Sequence, residues 1–390
     1  MARCRVGRVP SVTSHPSVNC LDPDPVADLS RTALLERPRR FQLVDRPLPA
    51  AGVDEVVVRI AATAVCHTDL GIYTGDHPGV RYPVVMGHEA TGVIEATGDE
   101  VAGLERGDPV IINPIISCGE CDSCRRGAEH LCRNAGLFGR EVDGSMSEYV
   151  RLASRYVYAL PRALPLANAT LIETLATVRH AQERLALATG EGVVVLGQGT
   201  TGLLHTRLAV LAGANPVIAV SRSRWKLELA ERMGAHHVLD TGAEDAVQEV
   251  VRLTGGAGAD IVIDTAGSAS SLRAGIDMLR PGGRLSPYAV SHECCSEFTT
   301  FPLYYKEMSI IGSRALTHAD MPPSIDLVAS GQIDVSDFVS ATYPLDRAPE
   351  AFQDYEARPN DVLRIVIASG ELAARDAPIN TTAADQSFRP

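Results

Sequence analysis

The sequence predicts an α/β chain of two domains, one mostly β and irregular, the other a doubly wound parallel sheet. Three observations predict it. From about Ala33 to Pro161 the apolar runs are short, β-branched and separated by Gly, Pro and Asp turns, as in VDEVVVRIAATAV, HEATGVIEATG, DPVIINPII and SEYVRLA. From about Ala163 continuous apolar strands alternate with helical stretches: VVVLGQG then LLHTRLAVLAG, VIAVSRS then WKLELAERMG, followed by ADIVIDTAG, GGRLSPYAV and MSIIGS. Strands of that kind joined by helices imply a parallel sheet covered on both faces. A glycine-rich turn also opens the first of those helices.

The first segment, 1–30, is basic at its start and rich in Pro and Ser, without the apolar stretch of a secretory signal, and is expected to be a disordered extension. The mostly-β domain is expected over 31–161, with a return over 317–370 supplied by the helix and strand in YPLDRAPEAFQDYEARPNDVLRIVI. The parallel-sheet domain fills 162–316, and 371–390 reads as a flexible tail.

Composition narrows the function classes. The chain has 390 residues, 45% hydrophobic, with net charge −12 and no dense basic stripe, so nucleic acid and anionic membrane are poor partners. No apolar run reaches the roughly 18 residues needed to cross a bilayer. The nine cysteines are an odd number in a long chain without an export signal. That favours a reducing cytoplasm and metal ligation over a disulfide framework.

The glycine turn is Gly197, Gly199 and Gly202 in VVVLGQGTTGLLHTRLA, a G-x-G-x-x-G between strand and helix. In that setting the first glycine makes the tight turn, the second admits a pyrophosphate and the third lets helix pack on strand. This is the dinucleotide site of a Rossmann sheet. The next strand ends in Ser221, followed by Arg222 and Arg224, where an NAD site carries Asp or Glu for the ribose 2′-hydroxyl. A hydroxyl beside guanidinium groups suits a 2′-phosphate, so NADP(H) is expected over NAD(H). The single Trp225 lies beside this segment and would report cofactor binding by its fluorescence.

CGECDSCRRGAEHLC supplies Cys118, Cys121, Cys124 and Cys132 within a lobe at 117–133. Four thiolates so close can enclose one Zn²⁺ tetrahedrally and leave no open position, so this metal is structural. A redox C-x-x-C pair and an iron–sulfur cluster are the alternatives. In AVCHTDLGIY, Cys66, His67, Thr68 and Asp69 follow a strand directly, and the GHE block at Gly87–His88–Glu89 comes 22 residues after that cysteine. LIETLATVRHA adds Glu173. A thiolate, an imidazole and a carboxylate, with water or substrate completing the sphere, make an open catalytic zinc site.

The order of these motifs resembles the zinc-dependent medium-chain dehydrogenase/reductase (alcohol dehydrogenase) family, and is closest to its polyol and threonine dehydrogenase branch. The resemblance runs from about Thr32 to Ser369. It implies a GroES-like catalytic domain before the Rossmann domain, two Zn²⁺ per chain and a homodimer or homotetramer. It implies that Cys66, His88 and Glu173 surround the catalytic zinc, with Glu89 as ligand or neighbour in exchange with Glu173. Thr68 matches the family's proton-carrying hydroxyl, His67 a pyrophosphate contact or later relay, Asp69 a carboxylate that orients His88, and Arg364 a basic residue reaching the pyrophosphate. Thr174 departs from the proline that usually follows the glutamate in this branch. His180 is expected to be a packing histidine, and Cys294 and Cys295 spare thiols.

The implied reaction is hydride transfer between a nicotinamide and a secondary alcohol or ketone, polyol, cyclitol or sugar-like. A primary alcohol/aldehyde pair with NAD(H) is the alternative. A non-catalytic nucleotide-binding protein and a zinc interaction module are the alternatives of other classes; the first fits poorly with Cys66 and His88 in place, the second because the lobe is small and embedded in a dehydrogenase-like framework.

Overall fold

A computed structural model describes residues 29–295 and 298–370. The expected extension at 1–30, save its last two residues, and the tail at 371–390 lie outside the described residues. Two compact units emerge, one of 29–177 with 315–370 and one of 178–314.

The first unit is built on strand Glu55–Val65, which runs antiparallel to Glu89–Thr97, to Tyr149–Ala153 and to Arg364–Ala368. Pro109–Ile112 and Val157–Ala159 extend the sheet on one side and Val339–Pro344 on the other. Glu55–Val65 is buried almost throughout, which is why it shows an apolar run in place of alternation. One core gathers Val56, Val58, Ile60, Ile94 and Val110. A second holds Phe352 of helix Ala348–Ala357 against Tyr73 and Phe41, with ring centroids 5.0 Å and 5.4 Å apart. The second passage of the chain is thus part of this unit's core. Glu129, between the third and fourth lobe cysteines, accepts a hydrogen bond from the backbone N–H of His318.

The second unit carries a six-stranded parallel sheet in the order His237–Asp240, Val217–Ser221, Val193–Leu196, Ala259–Asp264, Leu279–Pro287, Ser309–Ile310. Numbered along the chain this is 3-2-1-4-5-6, the doubly wound order whose ligand crevice opens at the carboxyl ends where the order reverses. That point lies between Val193–Leu196 and Ala259–Asp264, directly beneath the glycine turn.

The boundary between units falls inside helix Leu171–Arg184, later than the expected 161/162. The segment 162–177 packs with the β unit: Thr91 Oγ1 donates to Leu166 O at 2.8 Å, and Ala167 covers Ala62, Ala64 and Val366.

The three glycines of the turn have distinct jobs. Gly197 sits at φ +87°, a left-handed conformation that a side chain strains. A Cβ at Gly202 would lie 2.0 Å from Gly197 O, so this glycine lets helix Thr200–Leu211 reach the strand. A Cβ at Gly199 would meet nothing within 4 Å. Gly202→Ala is therefore expected to cost about 1–3 kcal/mol or more of stability, whereas Gly199→Ala should keep the wild-type melting temperature and lose dinucleotide affinity. Thermal melts paired with cofactor titration separate the two.

His205, on the same helix, is completely buried, and Gln182 Nε2 lies 3.2 Å from its Nδ1. Burial lowers its pKa to about 3. The unfolded chain, with an ordinary histidine near 6.5, takes up that proton first. Stability should therefore fall as pH drops from about 6.5 toward 3, by up to roughly 1.4 kcal/mol per pH unit. Denaturant titrations across that window should show this slope in the wild type and a shallower one in His205→Leu.

Candidate metal centre

Three neighbouring strands deliver the side chains of the candidate site to one end of the sheet. Ala64 pairs with Glu89 and Val65 with Ile365, so Cys66, His88, Glu89 and Arg364 emerge together. Cys66 leaves strand Glu55–Val65 and caps helix His67–Thr74, its Sγ accepting from Thr68 N at 3.2 Å. The Asp69 carboxylate returns to the Cys66 N–H at 3.1 Å and also accepts from Gly87 N at 3.3 Å. Sulfur and imidazole are thereby pinned by the same helix start.

Cys66 Sγ and His88 Nε2 converge to 3.0 Å, and Asp69 Oδ1 stands 3.3 Å from His88 Nδ1. Cys66, Asp69 and His88 offer donor atoms that all lie within 4.8 Å of one another. Asp69 already serves two backbone N–H groups and the far nitrogen of His88, so it orients the ring and leaves Nε2 aimed at the sulfur. A soft thiolate and an imidazole facing one point fit zinc. Burial would lower the His88 pKa, but Asp69 and Cys66 hold it well above the usual range. Burial pushes the Cys66 thiol up. Burial alone would raise Asp69, yet His88 and its N–H partners keep it below the ordinary carboxylate value.

The two glutamates differ. Glu89 Oε1 is held by Arg364 Nη1 at 3.1 Å, and Arg364 Nη2 donates to Thr174 Oγ1 at 3.0 Å. Neither Glu89 nor Glu173 belongs to the compact donor group. Glu173 is buried beside them, and burial followed by the Glu89 charge pushes it up to about 8. Glu89 is also raised, burial outweighing Arg364.

Arg364, which the resemblance offers to the cofactor pyrophosphate, is only 3% exposed, and its fork holds Glu89, Val65 O and Thr174. A lone cation in an otherwise apolar strand was the signal, because a buried arginine needs a partner carboxylate. The contact of Thr174 with Arg364 and the place of Tyr355 carry no signal in the sequence. Tyr355 places its Oη 3.4 Å from Nδ1 of the exposed His67 ring. Thr68 is half-buried next to the sulfur.

In the lobe, Sγ–Sγ distances are 3.5 Å for Cys121–Cys124 and Cys118–Cys132, 3.8 Å for Cys121–Cys132 and 3.9 Å for Cys118–Cys124. A tetrahedron with bonds of about 2.3 Å has edges of about 3.8 Å, so the four sulfurs fit one zinc. Backbone N–H groups of Cys124 and Arg133 lower Cys121 to about 5, and those of Glu120 and Cys121 lower Cys118. Burial raises Cys124 to about 12.

In the parallel-sheet unit, Gly199 starts helix Thr200–Leu211 without a side-chain cap, leaving its first N–H groups for an anion. With the open space at Gly199 this fits a dinucleotide pyrophosphate. Ser221 ends its strand and its Oγ accepts from Ser223 N at 3.2 Å. Arg222 is exposed, and Arg224 pairs with Glu228 on the helix surface. His180 is buried as a packing histidine is, Cys294 is exposed and Cys295 half-buried, both as free thiols.

Comparison with known proteins agrees with this architecture. Residues 52–162 match the alcohol dehydrogenase GroES-like domain and residues 200–330 match zinc-binding dehydrogenase. Sorbitol dehydrogenase of Bacillus subtilis is 28% identical over 86% of this chain and 96% of its own length. L-threonine 3-dehydrogenase of Pyrococcus furiosus is 32% identical over 80% of this chain and 91% of its own. A zinc-binding dehydrogenase from Sinorhizobium meliloti, solved bound to NADP, superposes with a TM-score of 0.80 at 28% identity, covering 87% of this chain and 99% of that one. The chain belongs to the zinc-dependent medium-chain dehydrogenase family, on its polyol and threonine dehydrogenase side, and is an alcohol dehydrogenase-type oxidoreductase.

Proposed function

We propose that the chain is an NADP(H)-dependent oxidoreductase that interconverts a secondary alcohol, polyol, cyclitol or sugar-like, and its ketone. The observation that carries this reading is the convergence of Cys66 Sγ and His88 Nε2 at 3.0 Å, backed by Asp69. When bound, zinc supplies a Lewis acid for the substrate oxygen and NADP(H) gives or takes the hydride. Cys66 and His88 would hold the metal, Glu173 or Glu89 would add the carboxylate donor, and Asp69 keeps the imidazole turned toward the sulfur. The Thr68 hydroxyl carries the substrate proton, and the exposed His67 ring passes it to water. Cys118, Cys121, Cys124 and Cys132 would hold a second, structural zinc.

Ser221, Arg222 and Arg224 receive the 2′-phosphate, since no carboxylate stands at the end of strand Val217–Ser221 to repel it. The NADP-bound relative supports this choice, and sorbitol in a relative's name supports the polyol class. Among the described residues no helix is long and apolar enough to cross a membrane, and the described cysteines are free thiols, which suits a cytoplasmic enzyme. Strand Ser309–Ile310 ends the sheet order with one open edge, where a second copy would pair to form a homodimer or a homotetramer.

Metal analysis should find two zinc ions per chain. Cys66→Ser and His88→Ala should each lose one of them and at least about 100-fold in kcat/KM, while the other ion stays. Turnover that survives both substitutions rejects the site. For the cofactor, kcat/KM should favour NADPH over NADH, and Arg222→Ala should erode that preference by about tenfold, or ~1.4 kcal/mol. An NADH preference untouched by the substitution rejects the 2′-phosphate assignment.

A further inference from the structure

A doubly wound sheet takes a dinucleotide in two halves, one on each side of the point where the strand order reverses. On the reading given above, the pyrophosphate lies at Gly199 and the adenosine half at Ser221. The nicotinamide half then falls to the other side, over the carboxyl ends of strands Ala259–Asp264 and Leu279–Pro287. That end of the sheet is closely tied. Thr265 Oγ1 donates to Leu196 O at 2.9 Å and to Gly197 O at 3.0 Å, and the N–H groups of Tyr288 and Ala289 both donate to Asp264 O at 3.0 Å. The backbone of Tyr288 is therefore fixed beside the crevice.

The Tyr288 ring is half-buried and packs on the core of Val193, Val195, Ile261 and Ile263. His205 stands edge-on to it, with ring centroids 4.6 Å apart and planes at 85°. Ring pairs favour that arrangement. A histidine is a poor choice there for packing alone. It is completely buried, and Gln182 Nε2 donates toward its Nδ1 at 3.2 Å, which leaves the ring proton on Nε2. Nε2 has no hydrogen-bond partner among the described residues. A buried donor left unpaired costs free energy that a leucine would not. What the imidazole supplies is a fixed planar wall. Gln182 Nε2 also donates to His205 O at 2.8 Å, so one side chain holds both ring and backbone, and Tyr288 cannot swing into the helix.

We propose that the Tyr288 ring is the floor on which the nicotinamide end of the dinucleotide rests, and that His205 is the positioning residue that keeps this floor in place. This rests on the dinucleotide reading of the glycine turn given above and not on the zinc centre.

The test uses the full chain and two ligands followed by calorimetry: NADPH, and 2′-phospho-ADP-ribose, which is the same molecule without its nicotinamide. NADH and ADP-ribose are run as a second pair. Tyr288→Leu should weaken NADPH binding about tenfold and leave the nicotinamide-free ligand within about twofold of wild type. Tyr288→Phe, which keeps the ring, should match wild type for both. His205→Leu should weaken NADPH about threefold with the same selectivity. A purely structural role would weaken both ligands together or only lower the melting temperature. Equal loss for the two ligands, NADPH binding unchanged in either leucine variant, or a phenylalanine variant that behaves like leucine overturns the inference and leaves the dinucleotide site standing. If His205→Leu does not fold, the two Tyr288 variants decide. A wild-type chain that binds neither pair overturns the dinucleotide reading and this inference with it.

Discussion

The antiparallel register of three strands is the constraint on which the centre depends. Because Ala64 faces Glu89 and Val65 faces Ile365, a thiol, an imidazole, a carboxylate and a guanidinium reach the same sheet end from places far apart in sequence. A one-residue slip of one strand would turn its own contribution to the other face and break the set. The buried apolar residues along Glu55–Val65 specify the register, so the ordinary packing of a β core fixes the spacing of the metal donors.

The same arrangement places several ionisable groups out of water. Asp69, His88, Glu89, Glu173 and Arg364 are all buried. Removing charges from water costs several kcal/mol each, and pairing returns only part of it. Arg364 is the counter-ion that makes two neighbouring carboxylates tolerable, and breaking such a buried pair typically costs about 3–5 kcal/mol. The centre is thus a concentration of cost inside a framework whose stability comes from elsewhere, from clusters such as that of Phe352, Tyr73 and Phe41.

Much of this was legible in the sequence, for definable reasons. The parallel unit could be read because buried strands leave continuous apolar runs and the glycine turn has a fixed place between strand and helix. The lobe could be read because its four cysteines are local, and their sulfur spacings match one tetrahedral ion. Cys66 and His88 could be paired through their flanking blocks. The partners of Arg364 could not be read, because the contact joins residues 275 positions apart, and only the sheet brings them together. The end of the first unit at 177 was hidden for a similar reason. The turn after Pro161 marks a change of texture, but the helix that follows first packs on the strands behind it.

The bond from the His318 backbone to Glu129 spans 189 positions in sequence. His318 lies just past the point where the polypeptide re-enters the β unit after leaving the parallel sheet. The cysteine lobe, itself poor in apolar residues, is therefore tied through one carboxylate to that re-entry, the place where the second half of the β framework begins. An ion closed in by the four sulfurs would brace, through Glu129, a seam far from it in the chain, and so a frame for chemistry in which it would take no part.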